Sequence, residues 1–307
     1  MQTEFELVVD PPFNFSLMSD YVASSPSAIT EKISGAGHYA QLSICEGKPV
    51  LVSVQEIGTS VSPRLGIRLD AEGAISSGMI DDLTSRLKRR FSLEYDYSEF
   101  ERMAERDPVF SSLVNRFYGL RPVLIPDPFE SLIWAILGQQ VNVKLARKFK
   151  LSLLQLLDCG FHIGGLDFLA SPTAGQVAVL TPEALQAERF GGHRASYVLA
   201  AANAVKTSKI NWAHLETLSD ADACGTLMQV RGVGKWTAEY VLMRGLGRRD
   251  IIPAGDLGLQ KIINKSYSVG DEKPEAAVRR ISAHWAGWRG WAAFYWWMAL
   301  QSGLEVI

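Results

Sequence analysis

Leu227-Met228-Gln229-Val230-Arg231-Gly232-Val233-Gly234-Lys235-Trp236-Thr237-Ala238-Glu239-Tyr240 reads as two helices joined through the tight turn Gly232-Val233-Gly234. Because the two glycines carry no Cβ, backbone N–H groups in this turn can lie directly against a phosphate. The second helix opens with Trp236, four residues before Tyr240, so both rings share one helical face. Downstream, Pro253-Ala254-Gly255-Asp256 brings a single carboxylate to the expected start of another helix. A phosphate grip, an aromatic wall and one acid thus fall between Leu227 and Asp256.

Other motifs stand in order around this segment. They are Pro11-Pro12-Phe13-Asn14-Phe15-Ser16, Phe129-Glu130 with Ala135-Ile136-Leu137-Gly138-Gln139-Gln140, and Trp285-Ala286-Gly287-Trp288-Arg289. With the hairpin and Asp256, they make the chain resemble the base-excision DNA glycosylases of the helix-hairpin-helix, glycine/proline-rich loop and aspartate superfamily. Within it, the chain is similar to the bacterial 3-methyladenine DNA glycosylase II type, the broad-specificity alkylpurine enzymes. The resemblance covers nearly the whole chain. It implies an α+β fold: an N-terminal antiparallel β-sheet domain with flanking helices over residues 1–102, then a mostly helical glycosylase domain. That part divides into a unit over 128–248, ending in the hairpin (227–240), and a unit built from 103–127 plus 249–307 that carries Asp256.

The implied activity is monofunctional N-glycosyl hydrolysis in damaged double-stranded DNA. An alkylated purine, chiefly 3-methyladenine or 7-methylguanine with hypoxanthine as a further substrate, would be flipped out and excised to leave an abasic site. Asp256 is the expected catalytic acid residue. A carboxylate near the anomeric carbon stabilises an oxocarbenium-like transition state and can orient water, although aspartate at a helix start is commonly only an N-cap. Trp236, Tyr240 and Trp297 match the family's base pocket, where electron-rich rings suit a cationic alkylpurine. Large helical aromatics are otherwise mostly core residues, the role assigned to Trp285, Trp288, Trp291 and Phe294. Gln140 stands where the family places its intercalating wedge, in which the best-known alkylpurine type has leucine. It is equally readable as an ordinary residue ending a helix.

Arg231, Gly232, Val233, Gly234 and Lys235 are the expected contacts to the DNA backbone. The resemblance also implies a monovalent cation held by main-chain carbonyls, by position those of Met228, Val230 and Gly232. Bifunctional relatives carry a nucleophilic lysine two residues after the second hairpin glycine. Here that place is Trp236, and Lys235 is one residue early, rotated by about 100° on the helix. No Schiff base is expected.

Two other functions remain open on sequence: a glycosylase for oxidised or deaminated bases, and a DNA-binding protein that uses the hairpin only as a clamp. A clamp needs neither the acid nor the aromatic pocket.

With 307 residues, 47% of them apolar, the chain can bury two or three packed units. A net charge of −2 gives no hint of nucleic acid. Between Gly225 and Lys265, however, seven Lys/Arg face Glu239, Asp250 and Asp256. Cys45, Cys159 and Cys224 show no metal spacing, and no cysteine follows Cys224, which excludes the four-cysteine iron–sulfur cluster of some relatives. The five scattered histidines suggest no divalent-metal chemistry. Gly232-Val233-Gly234 lacks the third glycine or Gly-Lys-Ser/Thr ending of a nucleotide-binding loop. The N-terminus has no signal-like pattern and no run of 18 apolar residues occurs, so a cytoplasmic, nucleoid-associated monomer without membrane contact is expected.

Periodicity predicts strands at 4–9, 39–44, 50–55 and 65–69, and a helix over 75–91. From Asp127, an N-cap followed by Pro128 and Glu130, the pattern reads as helical to Gln301.

Overall fold

The structure is a computed structural model and describes residues 1–34, 37–59, 61–163 and 165–304. Alternation in the first 71 residues produces a five-stranded antiparallel sheet from β1 (Gln2–Val8), β2 (Glu31–Ser34), β3 (His38–Cys45), β4 (Lys48–Glu56) and β5 (Arg64–Ala71). The strand order is β1-β5-β4-β3-β2. One face is solvated. The other places Val50, Val52, Val54, Leu65, Ile67 and Leu69 in the core, as period-two patterning requires. Two elements escaped the sequence reading: the short edge strand β2, and α1 (Phe15–Ser24), capped by Asn14.

Helices then dominate. α2 (Ser77–Arg90), α3 (Tyr97–Ala104), α4 (Pro108–Arg116), α5 (Pro128–Leu137) and α6 (Val143–Leu156) come first. The expectation of uninterrupted helix fails at 160–169, where β6 (Gly160–Ile163) and β7 (Leu166–Leu169) form a hairpin. Its eight paired residues are too few to outweigh helical patterning on either side. Next come α7 (Ala174–Val177), α8 (Pro182–Ala187), α9 (Gly192–Lys206), α10 (Trp212–Thr217), α11 (Asp220–Met228), α12 (Lys235–Arg244) and α13 (Leu257–Ser266). The expected 274–301 helix is instead α14 (Pro274–Ile281) and α15 (Arg289–Gln301), separated by a short 3₁₀ turn and by Gly287 at φ +88°. Among the described residues no helix is long and apolar enough to cross a membrane.

Two contact sets position the elements that matter below. Where sheet meets helices, buried Glu31 pairs with Arg90 and accepts from Tyr39 Oη at 2.6 Å. Beside it, buried Glu130 on α5 is held by Lys150 and Ser171. Burial alone would push the Glu130 carboxyl up, but Lys150 and Ser171 bring it below the usual carboxylate range. Near the C-terminus, Asp107 accepts from Phe110 N (3.2 Å), Tyr267 Oη (2.5 Å) and Trp285 Nε1 (3.0 Å), tying α4 to α13 and the tryptophan-rich segment. Trp285, Trp288, Trp291 and Phe294 are all buried there.

Candidate active site

α11 ends at Met228, and the chain reverses through Gln229–Gly234 into α12. Gly232 sits at φ +89°, and a Cβ there would lie 2.2 Å from Tyr197 Cγ. Both facts demand glycine. Gly234 caps α12 without a side-chain hydrogen bond, and nothing lies within 4 Å of where its Cβ would be. The first-turn amides of α12 therefore open onto free space, a geometry that suits an anion. Arg231 and Lys235 are exposed on either side of this opening, whereas Val233 is buried and its amide is spent on the Val230 carbonyl at 3.0 Å.

The local excess of positive charge is only partly on this surface. Arg248 is held by Asp220 and by the carbonyls of Leu215 and Leu218. Arg249 lies over the Trp288 ring at 4.3 Å, and Arg244 is 2% exposed. Lys235 lies close enough to affect Glu239 and Cys224 electrostatically. Asp250, the nearest alternative acid, accepts from Gly287 N (2.7 Å) and Arg289 Nη1 (2.8 Å) and serves as a structural cap.

The hairpin's other flank meets the turn after α5. Gln139 Nε2 donates to the Gly232 carbonyl (2.8 Å) and to Thr237 Oγ1 (3.1 Å). Arg194 Nη2 donates to the Gln139 carbonyl at 2.8 Å. Thus fixed, the turn presents Gln140 exposed and at φ +56°, a left-handed conformation uncommon outside glycine. Gln139 and Arg194 were not singled out in the sequence; only the tertiary contact reveals them.

Of the carbonyls expected to hold a cation, that of Val230 accepts the Val233 amide at 3.0 Å and that of Gly232 accepts from Gln139 Nε2 at 2.8 Å, each bond leaving one lone pair.

On the inner face of α12, Trp236 and Tyr240 have ring centroids 5.7 Å apart, and Trp297 of α15 lies 5.8 Å from Tyr240. Asp256 caps α13, accepting from Leu259 N at 2.8 Å through Oδ1. The same oxygen accepts from Trp297 Nε1 at 3.2 Å. Gly255 packs on Trp236, where an added Cβ would lie 3.3 Å from Trp236 Cβ. The loop after α12 therefore brings the half-buried acid to Trp297 and its neighbour Gly255 to Trp236. Burial pushes the Tyr240 phenol up, with Asp256 adding to the shift and Arg244 opposing it, so Tyr240 stays protonated. Trp236 Nε1 is buried and has no hydrogen-bond partner among the described residues. Two groups absent from the sequence reading, Trp134 on α5 and Tyr21 on α1, complete the surroundings with Arg244 at the far end of α12, which the sequence counted only within the local basic excess.

A family profile described as "HhH-GPD superfamily base excision DNA repair protein" matches residues 133–287, which span both the hairpin and Asp256. The chain belongs to that superfamily. A second profile, "8-oxoguanine DNA glycosylase, N-terminal domain", matches residues 43–132. The chain is 30% identical over 220 residues to a DNA-3-methyladenine glycosylase of Bacillus subtilis, covering 72% of this chain and 73% of that one. Its fold is similar to that of a 3-methyladenine DNA glycosylase from Archaeoglobus fulgidus (TM-score 0.80, 22% identity, 96% and 98% of the chains). It is also similar to a Clostridium acetobutylicum 8-oxoguanine glycosylase/lyase in complex with double-stranded DNA containing cytosine opposite 8-oxoguanine (TM-score 0.75, 20% identity, 99% of each chain). By family, then, this is a DNA glycosylase of base-excision repair.

Proposed function

We propose that the chain is a monofunctional glycosylase that flips alkylated purines, chiefly 3-methyladenine and 7-methylguanine, out of duplex DNA and excises them hydrolytically. The observation that carries this reading is the convergence of one carboxylate, Asp256, with the rings of Trp236, Tyr240 and Trp297. An alkylated purine is cationic, so aromatic faces attract it by about 0.5–2 kcal/mol per good contact. It is also an activated leaving group. Asp256 is left the task of stabilising positive charge on the deoxyribose and orienting water.

The other proposed roles follow from placement. The open amides at Gly232 and Gly234, with Arg231 and Lys235, grip a backbone phosphate, while Val233 anchors the turn in the core. Gln140 fills the space left by the flipped base. Trp236 stands where bifunctional relatives carry their lysine, and Lys235 lies near Glu239 and Cys224, which favours hydrolysis to an intact abasic site over a Schiff-base route. The proposed working form is a monomer on double-stranded DNA in the nucleoid.

A second reading, hydrolytic excision of oxidised guanine, is favoured by the match of residues 43–132 to an 8-oxoguanine glycosylase N-terminal domain.

The test compares the parent with Asp256→Asn on methylated duplex DNA and measures base release separately from nicking. Asparagine keeps an Oδ1 cap for Leu259, so only charge is lost. Release of 3-methyladenine by the parent alone, without nicking before alkali, is the expected result. No alkylpurine release by the parent sinks the proposal, and equal release by both proteins removes Asp256 from the mechanism.

A further inference from the structure

Arg244 is a cation buried without a counter-charge. It is 2% exposed, and among the described residues no carboxylate pairs with it. Its guanidinium instead lies among rings, 5.1 Å from the centroid of Tyr21, 5.2 Å from Phe294 and 5.8 Å from Trp297. Such burial is unfavourable unless hydrogen bonds and aromatic faces offset it. One bond is provided: Nη1 donates to Tyr21 Oη at 2.6 Å. Nε has no partner.

Tyr21 comes from α1, in the β-sheet half of the chain, and its ring packs 4.4 Å from Phe294. Gln301 Nε2 donates to its carbonyl at 3.4 Å, fastening α1 to the end of α15. The Tyr21 hydroxyl accepts from Arg244, so its own proton is free to be donated, yet no acceptor for it exists among the described residues. The residue is 8% exposed. Its phenol lies near enough to Tyr240 to influence that group, alongside Asp256. A buried donor, bonded to the cation that lies over the Trp297 ring, therefore stands close to the cluster of Trp236, Tyr240 and Trp297.

We propose that the Tyr21 hydroxyl, oriented by Arg244, is a specificity-determining hydrogen-bond donor to the excised base, and that it sets how well uncharged purines bearing a carbonyl oxygen are cut. The proposal rests on the glycosylase reading above and names the residue that selects for such bases at the same site.

Charge flow explains why only some bases need this donor. When the C1′–N9 bond breaks, its electron pair leaves with the base. Water oxygen bonds to C1′ and loses a proton. A cationic alkylpurine takes the electron pair and departs neutral, so that proton passes to solvent. An uncharged purine accumulates negative charge, which a donor backed by a buried cation stabilises as it develops, and it then takes up the proton. Asp256 accepts from Trp297 Nε1 while the Arg244 guanidinium lies 5.8 Å from the centroid of the same ring, so anion and cation both flank Trp297. Tyr21 stays a phenol throughout; it donates a hydrogen bond and loses no proton.

The experiment compares the full-length parent with Tyr21→Phe in single-turnover release of hypoxanthine from an inosine-containing duplex and of 3-methyladenine from a methylated duplex. The quantity read is the ratio of the two rates, whatever happens to either alone. The ratio is expected to fall about 10- to 100-fold, the loss typical of a hydrogen bond to a charged group. An unchanged ratio overturns the proposal, because a structural role slows both bases alike. A parent that releases 3-methyladenine but no hypoxanthine overturns it too, and leaves the alkylpurine reading intact. A parent that releases neither takes down both.

Discussion

Alanine at Gly232 is expected to damage the hairpin through two separable effects. The first is backbone strain. Gly232 sits at φ +89°, where a residue with a Cβ costs about 1–2 kcal/mol. The second is overlap. The new methyl would lie 2.2 Å from Tyr197 Cγ and 2.6 Å from its Cβ, atoms too close to the main chain to swing aside. Forced overpacking of this kind costs about 1–3 kcal/mol. Together they predict a loss of roughly 2–5 kcal/mol in chemical denaturation. In a Tyr197→Ala background the contacts with the ring vanish while the one with Cβ at 2.6 Å remains, so the cost of Gly232→Ala should shrink toward, without reaching, the roughly 1–2 kcal/mol of strain. Because the same turn presents the proposed phosphate-binding amides, duplex affinity should fall in Gly232→Ala and recover only partly with Tyr197→Ala. The assay is a four-protein denaturation cycle, with duplex binding measured at fixed salt. A Gly232→Ala protein as stable as the parent, or an equal cost in both backgrounds, would refute the packing argument.

Lys235→Ala should weaken duplex binding and reduce the slope of log affinity against log salt by about one, without altering which bond is cut; an unchanged slope would show that Lys235 does not meet phosphate. Arg194→Gln releases the Gln139 carbonyl and should lower the single-turnover excision rate about 3- to 30-fold with little change in melting temperature, since it loosens only the turn carrying Gln140; loss of melting temperature with the rate intact would place Arg194 in the scaffold instead. Burial pushes Asp127 up to about 6 despite its bond from Phe129 N. A carboxyl raised in the folded state contributes stability below its unfolded value near 4, and that contribution is lost as pH rises through about 6. Asp127→Asn, which keeps the cap, should therefore match the parent near pH 4 and exceed it at pH 8 by about 1–3 kcal/mol; parallel stability curves would contradict this.

Local chemistry made much of the molecule readable in one dimension. Alternation identified β1, β3, β4 and β5 because each strand buries one face against the core. Asp127-Pro128 marked the start of α5, and the paired glycines marked the turn that holds Gly232. Short elements were less legible. β2 and the β6–β7 hairpin, with four residues per strand, are too brief for a period to emerge. The break at Gly287 was hidden in a run of apolar residues that helix and turn share.

Sequence by itself determined the hairpin, the α+β class, the superfamily and the candidacy of Asp256, because these depend on residue type at fixed spacing along the chain. Tertiary structure alone brought Trp297 to Asp256, forty-one positions apart, and Tyr21 to Arg244 across 223 positions. It also turned part of an apparent basic surface inward, burying Arg244 and pairing Arg248 with Asp220. The physical reason is that hydrogen bonds and burial act over a few ångströms of space. A pattern of residues records which groups exist, and only packing decides which of them meet.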